Sequence, residues 1–168
     1  MKTIVLYNSK TGFTKRYTEW LGEMTGCTVM PFEKAVSLDL TPYGTVIFAS
    51  WFHAGMIQKL GSFKKMNLNG KNRIVMVTGS NPPGLAETDT AIQNNFKTDG
   101  EQYKVFYLPG GLNYEKMGIG SKIMMSGFRK IIKKANGEDS EMYKRISHSY
   151  DNTSKEYLQP LVSYLNSL

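Results

Sequence analysis

Thr3-Ile4-Val5-Leu6-Tyr7-Asn8-Ser9-Lys10-Thr11-Gly12-Phe13-Thr14 is the stretch from which the fold of this chain is read. Thr3 to Tyr7 is short, apolar and β-branched, the composition of a buried strand. Beyond it, Phe13, Tyr17, Trp20, Leu21 and Met24 recur at the spacing of one helix face. A strand, a small hydroxyl-rich loop and a helix start therefore follow one another. The loop gathers three hydroxyls (Ser9, Thr11 and Thr14) and the unpaired N–H groups of a helix end, and Gly12 permits close backbone approach. A phosphate suits such a point. Capping accounts equally well for one of the hydroxyls. The pattern is neither a Walker A loop, which ends in Gly-Lys-Thr/Ser, nor a GxGxxG fingerprint.

The chain of 168 residues is read as a single domain over 1–168, with an extra helix at about 153–165. The longest apolar run, near Val46 to Phe52, is too short to span a bilayer. The first strand begins at Thr3, which leaves no room for a signal peptide, and the single cysteine, Cys27, excludes an internal disulfide; both point to the cytoplasm. Two histidines and one cysteine cannot assemble the usual metal sets, and no CxxC, HExxH or GxSxG is present. Metal and catalytic residues are accordingly assigned as none. Glu87 and Asp89 read as the acidic first turn of a helix.

Further strands are expected at Cys27 to Phe32, Thr45 to Ser50, Arg73 to Thr78 and Tyr103 to Leu108. Helices are expected at Leu60 to Leu68, Leu85 to Phe96, Ile119 to Ala135 and Thr153 to Leu165, with 137–152 polar and irregular. Alternating strands and helices, with strands apolar along their length, indicate an α/β three-layer sandwich. Its five-stranded parallel sheet takes the order 2-1-3-4-5, with helices on both faces. Ligands of that architecture bind beyond the carboxyl ends of the strands, where the order reverses. Three loops meet there: the hydroxyl loop, Trp51-Phe52-His53-Ala54-Gly55-Met56, and Gly79-Ser80-Asn81. An anion cradle beside exposed aromatics fits a planar, phosphorylated cofactor; the alternative is that Trp51 and Phe52 fold back into the core.

Ser9-Lys10-Thr11-Gly12-Phe13-Thr14 resembles the FMN-phosphate loop of the flavodoxins, and Leu40 to Ser50 resembles that family's approach to its first flavin-binding loop. The likeness covers roughly residues 1–135. It implies the flavodoxin-like sandwich and non-covalent FMN. By position, Ser9, Lys10, Thr11, Gly12, Phe13 and Thr14 would hold the phosphate. Trp51, Phe52, His53, Ala54 and Gly55 would line one side of the ring, and Gly79, Ser80 and Asn81 the other. The function implied is electron transfer through the flavin, with a redox partner protein or a small-molecule donor or acceptor. Pro109-Gly110-Gly111-Leu112-Asn113-Tyr114 and the Lys- and Met-rich helix after it are similar to the branch containing the menaquinone-dependent protoporphyrinogen oxidase, which would imply haem biosynthesis. The chain departs from the acidic electron carriers in its net charge of +7, and Ser80 to Gly84 contains no aromatic.

The excess charge is concentrated near Arg129, Lys130, Lys133 and Lys134, on a helix whose Ile119, Ile123, Met124, Phe128, Ile131 and Ile132 form an apolar stripe. A core-facing stripe with a solvated basic face is the default reading. Docking on an anionic membrane is the alternative. A flavin-free module binding nucleic acid through this helix is disfavoured, because few aromatics are interleaved with the basic residues.

Overall fold

The computed structural model describes residues 2–35 and 37–168; Val36, within the expected short helix or loop at 33–40, lies outside the described residues. The chain divides into two compact units, one formed by residues 1–110 and 153–168 and the other by 111–152.

The larger unit is built on β1 (Lys2–Tyr7), β2 (Thr28–Pro31), β3 (Tyr43–His53), β4 (Met56–Ile57), β5 (Asn72–Gly79) and β6 (Lys104–Pro109). The five main strands are parallel and lie in the order β2-β1-β3-β5-β6, while β4 is an antiparallel appendage of β3. Counting only the main strands, this is the expected order 2-1-3-4-5. Strand alternation sorts their side chains onto two faces. Ile4, Leu6, Val46, Phe48, Val75 and Val77 enter one cluster, which Phe63 of α2 (Leu60–Lys64) and Ile92 of α3 (Ala86–Asn94) complete. Val5, Ile47, Ala49, Ile74 and Met76 enter the other, with Tyr17 and Leu21 of α1 (Phe13–Thr25) and Leu158 and Leu161 from the C-terminal segment. A sheet covered on both faces needs strands that are apolar throughout, which is why the strands were legible in the sequence.

Gly26 ends α1 in the left-handed region (φ 68°), and its N–H returns to the Gly22 carbonyl. Glu87 and Asp89 do form the first turn of α3. Burial pushes the Cys27 thiol upward, which favours the inert form. The C-terminal helix starts differently from the expectation. A 3₁₀ turn at Lys155–Leu158 precedes α6 (Gln159–Asn166), and Pro160 stands in the first turn of α6, where its missing N–H costs nothing. Leu158 and Leu161 are buried, whereas Tyr157 is exposed.

The smaller unit corrects the sequence reading in two places. Residues 137–152 are not irregular. Ser140 caps α5 (Glu141–Ile146) by accepting the Tyr143 N–H at 3.3 Å, and β8 (Tyr150–Asp151) pairs antiparallel with β7 (Gly111–Leu112). The stripe of α4 (Ile119–Asn136) is also not core-facing. Of its six apolar residues only Ile132 is buried, and Ile119 is 80% and Ile123 68% exposed. The periodicity was real, but periodicity identifies the apolar face and not what covers it.

Tyr17 ties α1 to both ends of the excursion through 111–152. Its buried hydroxyl donates to the Pro109 carbonyl at 2.7 Å and accepts the Ser154 N–H at 3.3 Å. A Tyr17→Phe variant leaves both backbone groups short of a partner. It should lose about 1–3 kcal/mol of stability, read as a lower denaturant midpoint at unchanged m-value.

Candidate functional site

The carboxyl ends of β1, β3 and β5 bring together the segments that the sequence singled out. At the end of β1, Asn8 donates its backbone N–H to the Ala49 carbonyl at 2.8 Å and its side-chain amide to Ser50 Oγ at 3.1 Å. Ser50 passes its own proton to the Gln58 carbonyl at 2.7 Å. The Gln58 N–H in turn donates to the Trp51 carbonyl at 3.1 Å. A polar chain thus runs from β1 across β3 to the strand that returns from the hairpin.

Gly12 stands at the N-cap of α1 with φ 101°, a left-handed conformation that strains any residue carrying a Cβ. Having no side chain, it does not cap the helix; Ser9 Oγ accepts the Lys15 N–H at 3.3 Å instead. Thr14 is buried, and its hydroxyl lies 2.6 Å from that of Thr78 at the end of β5. Ser9 and Thr11 are half-buried. Lys15, one turn in, pairs with Glu19 at 3.0 Å, and that carboxylate holds its ammonium above the ordinary lysine range.

Trp51, Phe52 and His53 do not form a loop. They extend β3 past the sheet into a hairpin with β4, in which Phe52 faces Ile57 and His53 faces Met56. The turn residues Ala54 and Gly55 both have positive φ, 48° and 81°, as a tight two-residue connection requires. The two sequence alternatives for these aromatics are resolved by alternation. Phe52 packs on the core cluster that contains Phe48, whereas Trp51 and His53 project to the opposite face, their rings 5.3 Å apart. That face is also the one covered by α1. There the Lys10 ammonium lies 5.3 Å from the centre of the Trp51 ring, so the hydroxyl loop and the indole adjoin. Ala54 and Gly55 sit at the tip, where Asn95 clamps the hairpin by donating to the Gly55 carbonyl at 2.9 Å and accepting the Ile57 N–H at 3.0 Å.

The third segment is held from the side. Gly79 accepts the Gly110 N–H at 2.7 Å, and the Asn81 carbonyl accepts the Tyr107 hydroxyl at 2.8 Å. A Cβ on Gly79 would stand 2.7 Å from that hydroxyl, so Gly79 is required by the anchor. Asn81 spends its side chain on Thr88 Oγ1 at 2.9 Å. Ser80 lies beside them, half-buried. Sequence reasoning missed Asn8, Ser50, Thr78, Asn95 and Tyr107, all of which position the segments. Asn8 and Ser50 carry a signal in hindsight, as polar residues where apolar strands end. Asn95 and Tyr107 carry none. A cavity of about 500 Å³ lies at the opposite end of the sheet, where Lys71 already donates to the Leu40 and Tyr43 carbonyls.

The family model for the flavodoxin domain matches residues 4–140. The chain belongs to the flavodoxin-domain family. Solved structures similar to this flavodoxin-domain chain include a candidate flavoprotein from Bacteroides uniformis ATCC 8492, at 17% identity and a TM-score of 0.49, covering 65% of this chain and 90% of that one. Another candidate flavoprotein, from Bacteroides eggerthii DSM 20697, shares 14% identity with a TM-score of 0.47, covering 78% and 97%. The Trp repressor binding protein from Bacillus subtilis shares 15% identity with a TM-score of 0.43, covering 67% and 85%. No curated protein sequence matches the chain.

The Thr14–Thr78 pair offers a direct test of how the site is held. Thr78→Val strands the buried Thr14 hydroxyl and should cost about 1–3 kcal/mol, whereas Thr14→Val leaves the Thr78 hydroxyl the Ser50 carbonyl at 3.5 Å and should cost less. The double valine variant should cost clearly less than the sum, because neither hydroxyl is then left without its partner. A double-mutant cycle from urea unfolding measures the difference.

Proposed function

We propose that this flavodoxin-domain protein binds FMN without a covalent link and transfers electrons through it. The observation that carries the reading is the side-chain-free start of α1 at Gly12, lying against Trp51 through Lys10. The donor set suits a phosphate dianion. The hydroxyls of Ser9 and Thr11, the first N–H groups of α1 and the Lys10 ammonium all belong to one short loop. Thr14 contributes by bracing the loop on Thr78. Trp51 offers an indole face beside that loop, as a flat ring requires.

Bound FMN supplies the redox chemistry of the flavin ring. The chain's own residues seat the phosphate, present an aromatic wall and fix the backbone beside the ring. Tyr107 and Gly110 restrict Gly79 and Asn81, so their peptide groups are held in one orientation toward whatever lies against them. His53, its ring 5.3 Å from that of Trp51, would be the imidazole on the same side of the flavin as the indole. No side chain is assigned as acid or base. A redox protein or a small molecule would serve as donor or acceptor.

The oxidase reading has no observation of its own to favour it. Tyr114, the aromatic in the resembling segment, donates its hydroxyl to the Ile146 carbonyl and lies beneath the Arg129 guanidinium.

Titration with FMN and with riboflavin, followed by flavin fluorescence, tests the proposal. FMN should bind at least about tenfold more tightly, because only it carries the dianion for charge-assisted hydrogen bonds. Ser9→Ala with Thr11→Ala should weaken FMN and leave riboflavin unchanged, whereas Trp51→Ala should weaken both. Equal affinity for the two flavins would remove the phosphate seat, and binding of neither would remove the function.

A further inference from the structure

We propose that α4 is an interfacial helix that lays its uncovered apolar stripe on the surface of an anionic phospholipid bilayer. Across Ile119–Asn136 the helix carries Lys122, Arg129, Lys130, Lys133 and Lys134 and no Asp or Glu. Its row Ser121, Met125, Arg129 and Ile132 is partly or fully buried. There Arg129 lies over the Tyr114 ring at 5.4 Å. A different face carries the large apolar residues. Ile119, Ile123 and Ile131 are 80%, 68% and 64% exposed, and Met124 and Phe128 are 43% and 37%. Gly120, Gly127 and Ala135 lie among them, and Lys130 and Lys134 are interleaved on the same arc of the helix.

The occupant follows from shape and charge together. The exposed apolar side chains stand beside five cations, which pairs them with a surface that is apolar within and anionic outside. A lipid surface accepts a convex apolar face to the depth of a few side chains. The lysines sit where their stems can lie along that face while their ammonium groups reach phosphate headgroups. The absence of acid from the helix removes the repulsion that would oppose an anionic surface. Lys133 pairs with Glu138 just beyond the helix end. Among the described residues no helix is long and apolar enough to cross a membrane, so the association is peripheral. Nucleic acid would take the charge but leave five large apolar side chains in water.

Vesicle flotation with the 168-residue chain tests the proposal and does not depend on flavin binding. The protein should float with phosphatidylglycerol vesicles, do so less as salt rises, and stay behind with pure phosphatidylcholine. Ile123→Asn with Ile131→Asn should lower partitioning by at least about tenfold, since each isoleucine would lose its burial in lipid. Lys130→Gln with Lys134→Gln should flatten the salt dependence. As a readout gained on binding, Ile123→Trp should add indole fluorescence that shifts to the blue on phosphatidylglycerol vesicles. The proposal is overturned if the wild type stays unbound at low salt. It is likewise overturned if the asparagine variant floats as well as wild type, which would mean adsorption by charge alone. A dimer that dissociates in the asparagine variant, with no flotation, would assign the stripe to a second copy instead.

Discussion

The start of α1 is fixed against the end of β5 by a hydrogen bond between two buried hydroxyls, those of Thr14 and Thr78. The residues stand 64 positions apart, one in the first turn of α1 and the other at the end of β5. A buried hydroxyl is costly without a partner, so each fixes the other. Their pairing sets where α1 begins relative to β5. Asn8 and Ser50 do the same between β1 and β3. Loops that carry ligands are usually the loose part of an α/β domain. Here their first residues are fastened to neighbouring strands before any ligand contributes.

The same logic assigns the aromatics. Once β3 is registered against β1 and β5, alternation alone decides that Phe52 turns to one face while Trp51 and His53 turn to the other. The hairpin then has to close within two residues, and it does so with Ala54 in a backbone region that non-glycine residues occupy at a cost. Asn95 holds that turn from α3's end, so the strain is supported from outside the hairpin.

The sheet and its order were legible because a parallel sheet buried on both faces demands uninterrupted apolar strands, and Thr3 to Tyr7 and Thr45 to Ser50 supply them. Gly26 and the Glu87–Asp89 turn were legible because helix ends have local chemistry. The hairpin was not, since Trp-Phe-His is too short to show a period and Ala-Gly is a weak turn signal. The hydrogen bonds that brace the candidate site were hidden for a different reason. Thr14 to Thr78, Asn95 to Gly55 and Tyr107 to Asn81 are long-range contacts between residues with unremarkable neighbours. For α4 the helical period is legible in the sequence, and only the three-dimensional burial decides what meets its apolar side.

The C-terminal segment has an implication for how the molecule is made. Leu158 and Leu161 complete the cluster over Val5, Ile47 and Met76, yet residues 111–152 separate them in sequence from the rest of their unit. Until they dock, the α1 side of the sheet lacks part of its apolar cover. Pairing of β7 with β8 brings the two ends of the 111–152 excursion side by side. That shortens the effective loop which must close before α6 can dock. A lesion in this small ladder would lengthen the loop that α6 has to close, and so would show itself in the rate of folding rather than in the packing of the finished sheet.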